Sequence, residues 1–255
     1  MKNISLKLAV TFTIIILLNS CASKKDVVYF QNALDYETIV TNNFSDNRYK
    51  VDDVLSIHIS TLDPQASLPF NLYRGSNNTT ISPEQVDYII DREGNIDFPV
   101  LGKIKLEGLT STEVKNKLKI ALIDYLKDPI VNIRLKNFTV TILGEVNRPG
   151  TYPVNGEQIT ILEAIGLAND LTIKGMRENI MVIRDFNGTK VYTRIDLTKK
   201  DALNSPVYYL TQNDVVYIEP NNSAITSSSL DNRATIALSI ASILITSTVL
   251  IITRN

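Results

Sequence analysis

Two uncharged apolar segments, one at each end, set the terms on which this 255-residue chain can fold. At the start, Lys2 and Lys7 precede an apolar run from Leu8 to Leu18, which closes on Asn19, Ser20 and Cys21. A basic start, a short greasy run and a small residue at the cut form a secretory signal over residues 1–20, too short for a spanning helix. At the other end, the 20 residues from Ala234 to Thr253 carry no charge, and Arg233 and Arg254 bracket them. At 1.5 Å per residue that is about 30 Å of helix, the thickness of a bilayer's hydrocarbon core. Ten large aliphatic residues in it favour insertion by roughly 3–6 kcal/mol, and seven Ser or Thr dilute the gain. The expectation is a single C-terminal transmembrane helix with a short tail over 233–255.

Cys21 is the one cysteine of the chain, so a processed chain has no disulfide and no thiol chemistry. Its place directly after the small residue resembles a bacterial lipoprotein leader, which implies lipidation at Cys21. Residues 21–45, polar with scattered aromatics, then read as a lipid-anchored tether.

The hydroxyls of the tail are ordered. Thr235, Ser239, Ser242, Thr246 and Thr253 follow spacings of four, three, four and seven. At 100° per residue they share a sector of about 60° on one helix face. Such a stripe can let helices pack closely, or face water inside a ring of helices. It can also do neither, each hydroxyl bonding back to the carbonyl one turn earlier.

Between the ends, charge balances at −1 and Trp is absent. No basic excess points to nucleic acid. Val54 to Ser60 alternates, with Leu55, Ile57 and Ile59 on one side, as in a half-buried strand. His58, the single histidine, falls on the other side, where no second His or Cys can join it as a metal ligand. Residues 63–85 read as a long loop, and Tyr88–Ile90 and Ile96–Phe98 as a hairpin about Asp91–Gly94. Thr110 and Glu113 have capping-box spacing. They head a helix whose stripe is Val114, Leu118, Ala121, Leu122 and Tyr125, stopped at Asp128-Pro129. Ile130–Leu135 is a further strand.

A second block repeats the plan. Phe138, Val140 and Ile142 alternate into Gly144-Glu145-Val146-Asn147-Arg148-Pro149-Gly150, a turn. Thr160 and Glu163 cap a short helix over Ile161–Ala168. Strands at 180–184 and 189–195 flank Asn187-Gly188, a strong hairpin signal. A last strand, Val215–Ile218, ends at Pro220, and 221–232 read as a linker. The fold class is therefore α+β, two small strand-rich domains. There is also an internal echo: Tyr49–Leu55 and Tyr209–Val215 each place a turn Asp before a strand.

These residues carry a family resemblance. Tyr49 to Ile57, Gly94-x-Ile96-x-Phe98-Pro99-x-Leu101-Gly102-x-Ile104, Gly108-Leu109-Thr110-x-x-Glu113 and Asp128-Pro129-x-Val131-x-Ile133 resemble the polysaccharide export domain, here over 46–136. Gly144-Glu145-Val146-x-Arg148-Pro149-Gly150-x-Tyr152 resembles a β-grasp module of the soluble-ligand-binding (SLBB) type, over 137–220. With the leader and the tail, the order resembles the outer-membrane polysaccharide export lipoproteins. Two departures are visible: a single β-grasp module, and Gln212-Asn213-Asp214 where the family usually has a Pro-Gly-Asp turn.

The resemblance implies periplasmic domains and a ring-shaped homo-oligomer, an octamer by analogy. That ring would carry capsular or extracellular polysaccharide across the outer membrane. It also implies an inner-membrane polysaccharide co-polymerase or tyrosine kinase as partner. No cofactor is implied, and no enzyme: a nucleophile–base pair, a zinc site and a Gly-rich phosphate loop all lack parts. Arg148 could touch a ligand or a neighbouring subunit, or stack on its own domain. A non-conducting scaffold and an inner-membrane anchor protein are the other function classes; the first differs in assembly, the second in which membrane holds it.

Overall fold

The two-residue apolar alternation of 54–60 builds the first sheet. The computed structural model describes residues 27–38, 47–74, 84–186 and 188–229, and in the tail 236, 238–243 and 245–247. Strand β1 (Val54–Ser60) buries Leu55, Ile57 and Ile59 completely. After it the long loop makes a helical turn at Pro64–Ser67 and a short pair, β2 (Tyr73–Arg74) with β3 (Glu84–Gln85). Next come β4 (Tyr88–Ile89), β5 (Asn95–Phe98), β6 (Gly102–Lys105), α1 (Ser111–Leu122) and β7 (Ile130–Leu135). Strand β1 is central, antiparallel to β4 on one edge and β7 on the other.

The capping box is formed. Thr110 Oγ1 accepts from the Glu113 amide at 3.2 Å, and Glu113 Oε2 accepts from the Thr110 amide at 2.8 Å. Val114, Leu118 and Leu122 bury the inner face of α1. Tyr125 departs from the expected stripe. It lies past the helix end, exposed, with its ring 5.8 Å from Phe70. The expected hairpin is also re-paired. The Asp91–Gly94 turn closes as read, with the Gly94 amide 2.8 Å from Asp91 O, but β4 joins β1 and the partner of β5 is β6. Pro99 and Gly102, which break the sequence pattern, are the ends of the turn that makes this pairing possible, with Val100 at φ 66° inside it.

The second domain holds β8 (Thr139–Gly144), β9 (Gly150–Pro153), β10 (Ile159–Thr160), α2 (Ile161–Leu167), β11 (Gly175–Phe186), β12 (Thr189–Ile195), β13 (Tyr209–Leu210) and β14 (Val215–Pro220). Five of them form one mixed sheet in the order β12-β11-β14-β8-β9. Its first and last strands, β8 and β14, run parallel at the centre, and the other neighbours are antiparallel. Helix α2 carries the second capping box, Thr160 with Glu163, and buries Ile161, Ala164 and Ile165 in this domain's core. Leu135, at the end of β7, packs against both cores.

The expectation of a C-terminal transmembrane helix is overturned: among the described residues no helix is long and apolar enough to cross a membrane. The helix after β14 is α3 (Asn222–Ser229), eight residues of which five are Ser or Thr. It reaches about 12 Å. It replaces part of what reads as a linker, with the Asn221 carboxamide capping the Ala224 amide at 3.0 Å. Further on, the described helical residues lie between Ile236 and Ser247.

Candidate functional site

Of the sequence-derived site residues, Cys21, Thr235 and Thr253 lie outside the described residues. Ser239, Ser242 and Thr246 are helical and exposed. Ser242 Oγ donates to Ser239 O at 2.8 Å and Thr246 Oγ1 to Ser242 O at 2.8 Å. Two hydroxyls of the stripe are thus spent on their own backbone, the third of the uses open to them. Arg148 sits in the exposed turn, where its amide donates to Ala168 O at 3.0 Å and its carbonyl accepts from the Tyr152 hydroxyl.

What the fold brings together instead is the pair of turns that echo each other. In the first, Asp53 Oδ2 accepts from the Lys50 amide at 2.9 Å, and Asp52 stands at φ 69°. In the second, Asp214 Oδ2 accepts from the Thr211 amide at 2.8 Å, and Asn213 stands at φ 65°. Asn suits that left-handed position, because its short polar side chain tolerates the backbone. Both turns face the seam between the domains. Asn137 clasps the first, accepting from the Val54 amide and donating to Asp52 O, both at 3.0 Å. The Gln212 side chain crosses to bond Asp53. Lys50 Nζ reaches Asp185 O in the second domain at 3.2 Å.

The two aspartates differ electrostatically. Asp214, fully buried, is held by Arg184 through Nε at 3.0 Å and Nη2 at 2.7 Å, a forked ion pair. Asp53, also buried, has no such fork, and burial pushes its carboxyl up to about 6 against the pull of the Lys50 amide, the Lys50 charge and Gln212. Beside the seam lies a cleft of about 70 Å³ lined by Asn47, Tyr49, Thr110–Thr112, Leu135, Glu157 and Gln158. Among the described residues no group of His, Cys, Asp and Glu could hold a metal ion.

The Gly144–Gly150 stretch has a different task. A Cβ on Gly144, at φ +91°, would stand 2.0 Å from Ile218 O, so the close parallel approach of β8 and β14 needs glycine. Downstream, the Thr172 amide donates to Glu145 O at 3.0 Å, Thr172 Oγ1 to Glu145 Oε2 at 2.7 Å, and the Asn147 amide to Asp170 O at 3.0 Å. The motif thereby fixes the 170–177 corner. Against that corner lies the strap of residues 28–37, for which the polar sequence gives only the Tyr29-Phe30 pair as a signal. Phe30 and Gln31 amides donate to Leu197 O and Thr198 O at 3.1 and 2.7 Å. The Tyr29 hydroxyl donates to Asp170 Oδ1 at 2.5 Å, and the Arg177 guanidinium lies 5.3 Å from its ring centre. Burial first, and Asp170 second, raise the Tyr29 hydroxyl above its ordinary value. Glu37 closes the strap on Lys200 at 2.5 Å.

Residues 42–136 match the profile of polysaccharide biosynthesis/export proteins, and residues 139–218 match that of the SLBB domain. The chain is 27% identical over 182 residues to the EPS I polysaccharide export outer membrane protein EpsA of Ralstonia solanacearum, covering 68% of this chain and 48% of that protein. It is 30% identical over 146 residues to the protein of the same name from Ralstonia nicotianae, covering 54% of this chain and 38% of that one. The chain thus spans half or less of the length of these curated relatives.

Proposed function

The chain belongs to the polysaccharide export family in which an export domain precedes an SLBB domain, and from that premise we propose that it is a subunit of an exopolysaccharide or capsule exporter. In this reading the body stands in the periplasm at the outer membrane, held there by lipid on Cys21. Several copies close into a ring that passes the polymer outward. An inner-membrane polysaccharide co-polymerase or tyrosine kinase delivers the chain to it.

The observation that carries the reading is the seam. Asn137, Lys50 and Gln212 tie the two domains through backbone and side chain at once, so each copy offers one body of fixed shape for tiling. A closed ring needs two different complementary patches per copy. Exposed Ile120, Ile123 and Tyr125 on the first domain and Phe186 and Val191, which share one face of the β11–β12 hairpin, supply two separate apolar ones. Deleting the coding sequence tests the function. Surface polymer is expected to vanish and cell-retained polymer to rise, both restored by the intact chain. Unchanged surface polymer would refute the proposal and leave a scaffold.

A further inference from the structure

The two echoing turns are not equally finished. Each buries an aspartate that caps its own turn. The second is closed by the charged Arg184 fork, whereas the first meets a neutral amide from across the seam. That amide is Gln212, itself buried, and its Oε1 is a buried acceptor without a hydrogen-bond partner. An ionised carboxylate can only accept, so beside Asp53 in that form Gln212 Oε1 stays unmet. Once protonated, the same carboxyl has one O–H to donate, and acid and amide can then exchange two hydrogen bonds. The charges around Asp53 are Lys50 and Asp52 of its own turn, with the Tyr49 hydroxyl as a third titratable neighbour. Ile90 and Asn137, which bond the backbone of the turn, carry no charge.

We propose that Asp53 and Gln212 form a proton-operated clasp between the two domains, tight when the carboxyl is protonated and slack when it is ionised. Asn137 and Lys50 hold the seam in either state; the clasp sets how far one domain swings against the other. The sign follows from burial, which pushes the Asp53 carboxyl up to about 6. A seated seam therefore takes up a proton that an open, hydrated one releases, and acid favours the seated form. Tightening is complete below about pH 4 and lost as pH rises through about 6. The clasp acts within one copy and does not rest on the export reading.

Cys21 is the chain's one cysteine, so full-length protein carrying Cys21→Ser takes spin labels only at placed thiols. Lys119→Cys on α1 and Glu178→Cys on β11, both exposed, report one position in each domain, and dilution with unlabelled protein keeps each measured pair within one copy. By double electron–electron resonance the distance distribution is expected to be about twice as wide at pH 8 as at pH 5, with its midpoint near the Asp53 value. Asp53→Asn, which presents an amide N–H to Gln212 Oε1 at every pH, is expected to stay narrow throughout. Gln212→Met, which keeps the bulk and loses the amide, is expected to stay wide throughout. Equal widths for the unsubstituted seam at the two pH values overturn the clasp. A pH response that survives Asp53→Asn or Gln212→Met assigns the switch to another group and overturns it as well.

Discussion

Replacing Arg184 with Ala is the sharpest perturbation of the second turn. Asp214 is fully buried, and the Arg184 fork contributes contacts at 2.7, 3.0 and 3.1 Å. Without it the carboxylate keeps only the Thr211 amide at 2.8 Å and the Thr211 hydroxyl at 3.1 Å. Tyr209 O also loses the Nη2 donor at 2.9 Å. Removing one partner of a buried pair strands the other charge, at a cost of about 3–5 kcal/mol. For a cooperative body of this size each kcal/mol lowers Tm by about 2–4 °C, so a fall on the order of 10 °C is expected. Calorimetry at pH 7 on wild type, Arg184→Ala, Asp214→Asn and the double variant separates the terms. Asn keeps an acceptor for Thr211 but no charge, so the double variant should be more stable than Arg184→Ala alone. A fall under 3 °C, or a double variant as unstable as the two single losses added, would refute the stranded-charge argument.

Asp53 gives a pH signature. Its carboxyl titrates near 3.9 in an unfolded chain and at about 6 when folded, so its stabilisation is complete below about pH 4 and lost as pH rises through about 6. Relative to wild type, Asp53→Asn should gain about 2 kcal/mol in urea unfolding between pH 4 and pH 7; a gap that does not move contradicts the burial argument. Gly144→Ala, driven toward Ile218 O at φ +91°, should cost at least about 2 kcal/mol. Gly166→Ala in α2, with nothing within 4 Å of the new methyl, should stabilise by up to about 1 kcal/mol. Thr110→Ala and Thr160→Ala should each cost about 1 kcal/mol and add in the double variant, since the caps sit in separate domains; measured non-additivity would place them in one network.

The local signals were legible where one residue type answers one backbone need. Both capping boxes, the alternation of β1 and β8, and the turn at Gly188 follow from Thr–Glu spacing, period-two apolarity and a permissive φ. Partner choice was less so. Nothing local tells Ile96 that it faces Ile104 rather than Tyr88, because pairing depends on where the chain turns at 99–101. The echo of Asp53 and Asp214 was visible, but not that the two turns meet across a seam, since Gln212 and Asn137 act over 70 residues and more of sequence. The tail shows the reverse error. A count of uncharged residues suggested a span, whereas among the described residues no helix is long and apolar enough to cross a membrane.

Assembly is the point on which the export proposal turns, and particle averages of the full-length protein extracted in mild detergent address it directly. Closed rings with a central opening, each copy contributing one two-domain body, are the expected result. Single bodies or pairs at every concentration, from protein that carries lipid on Cys21, would contradict it.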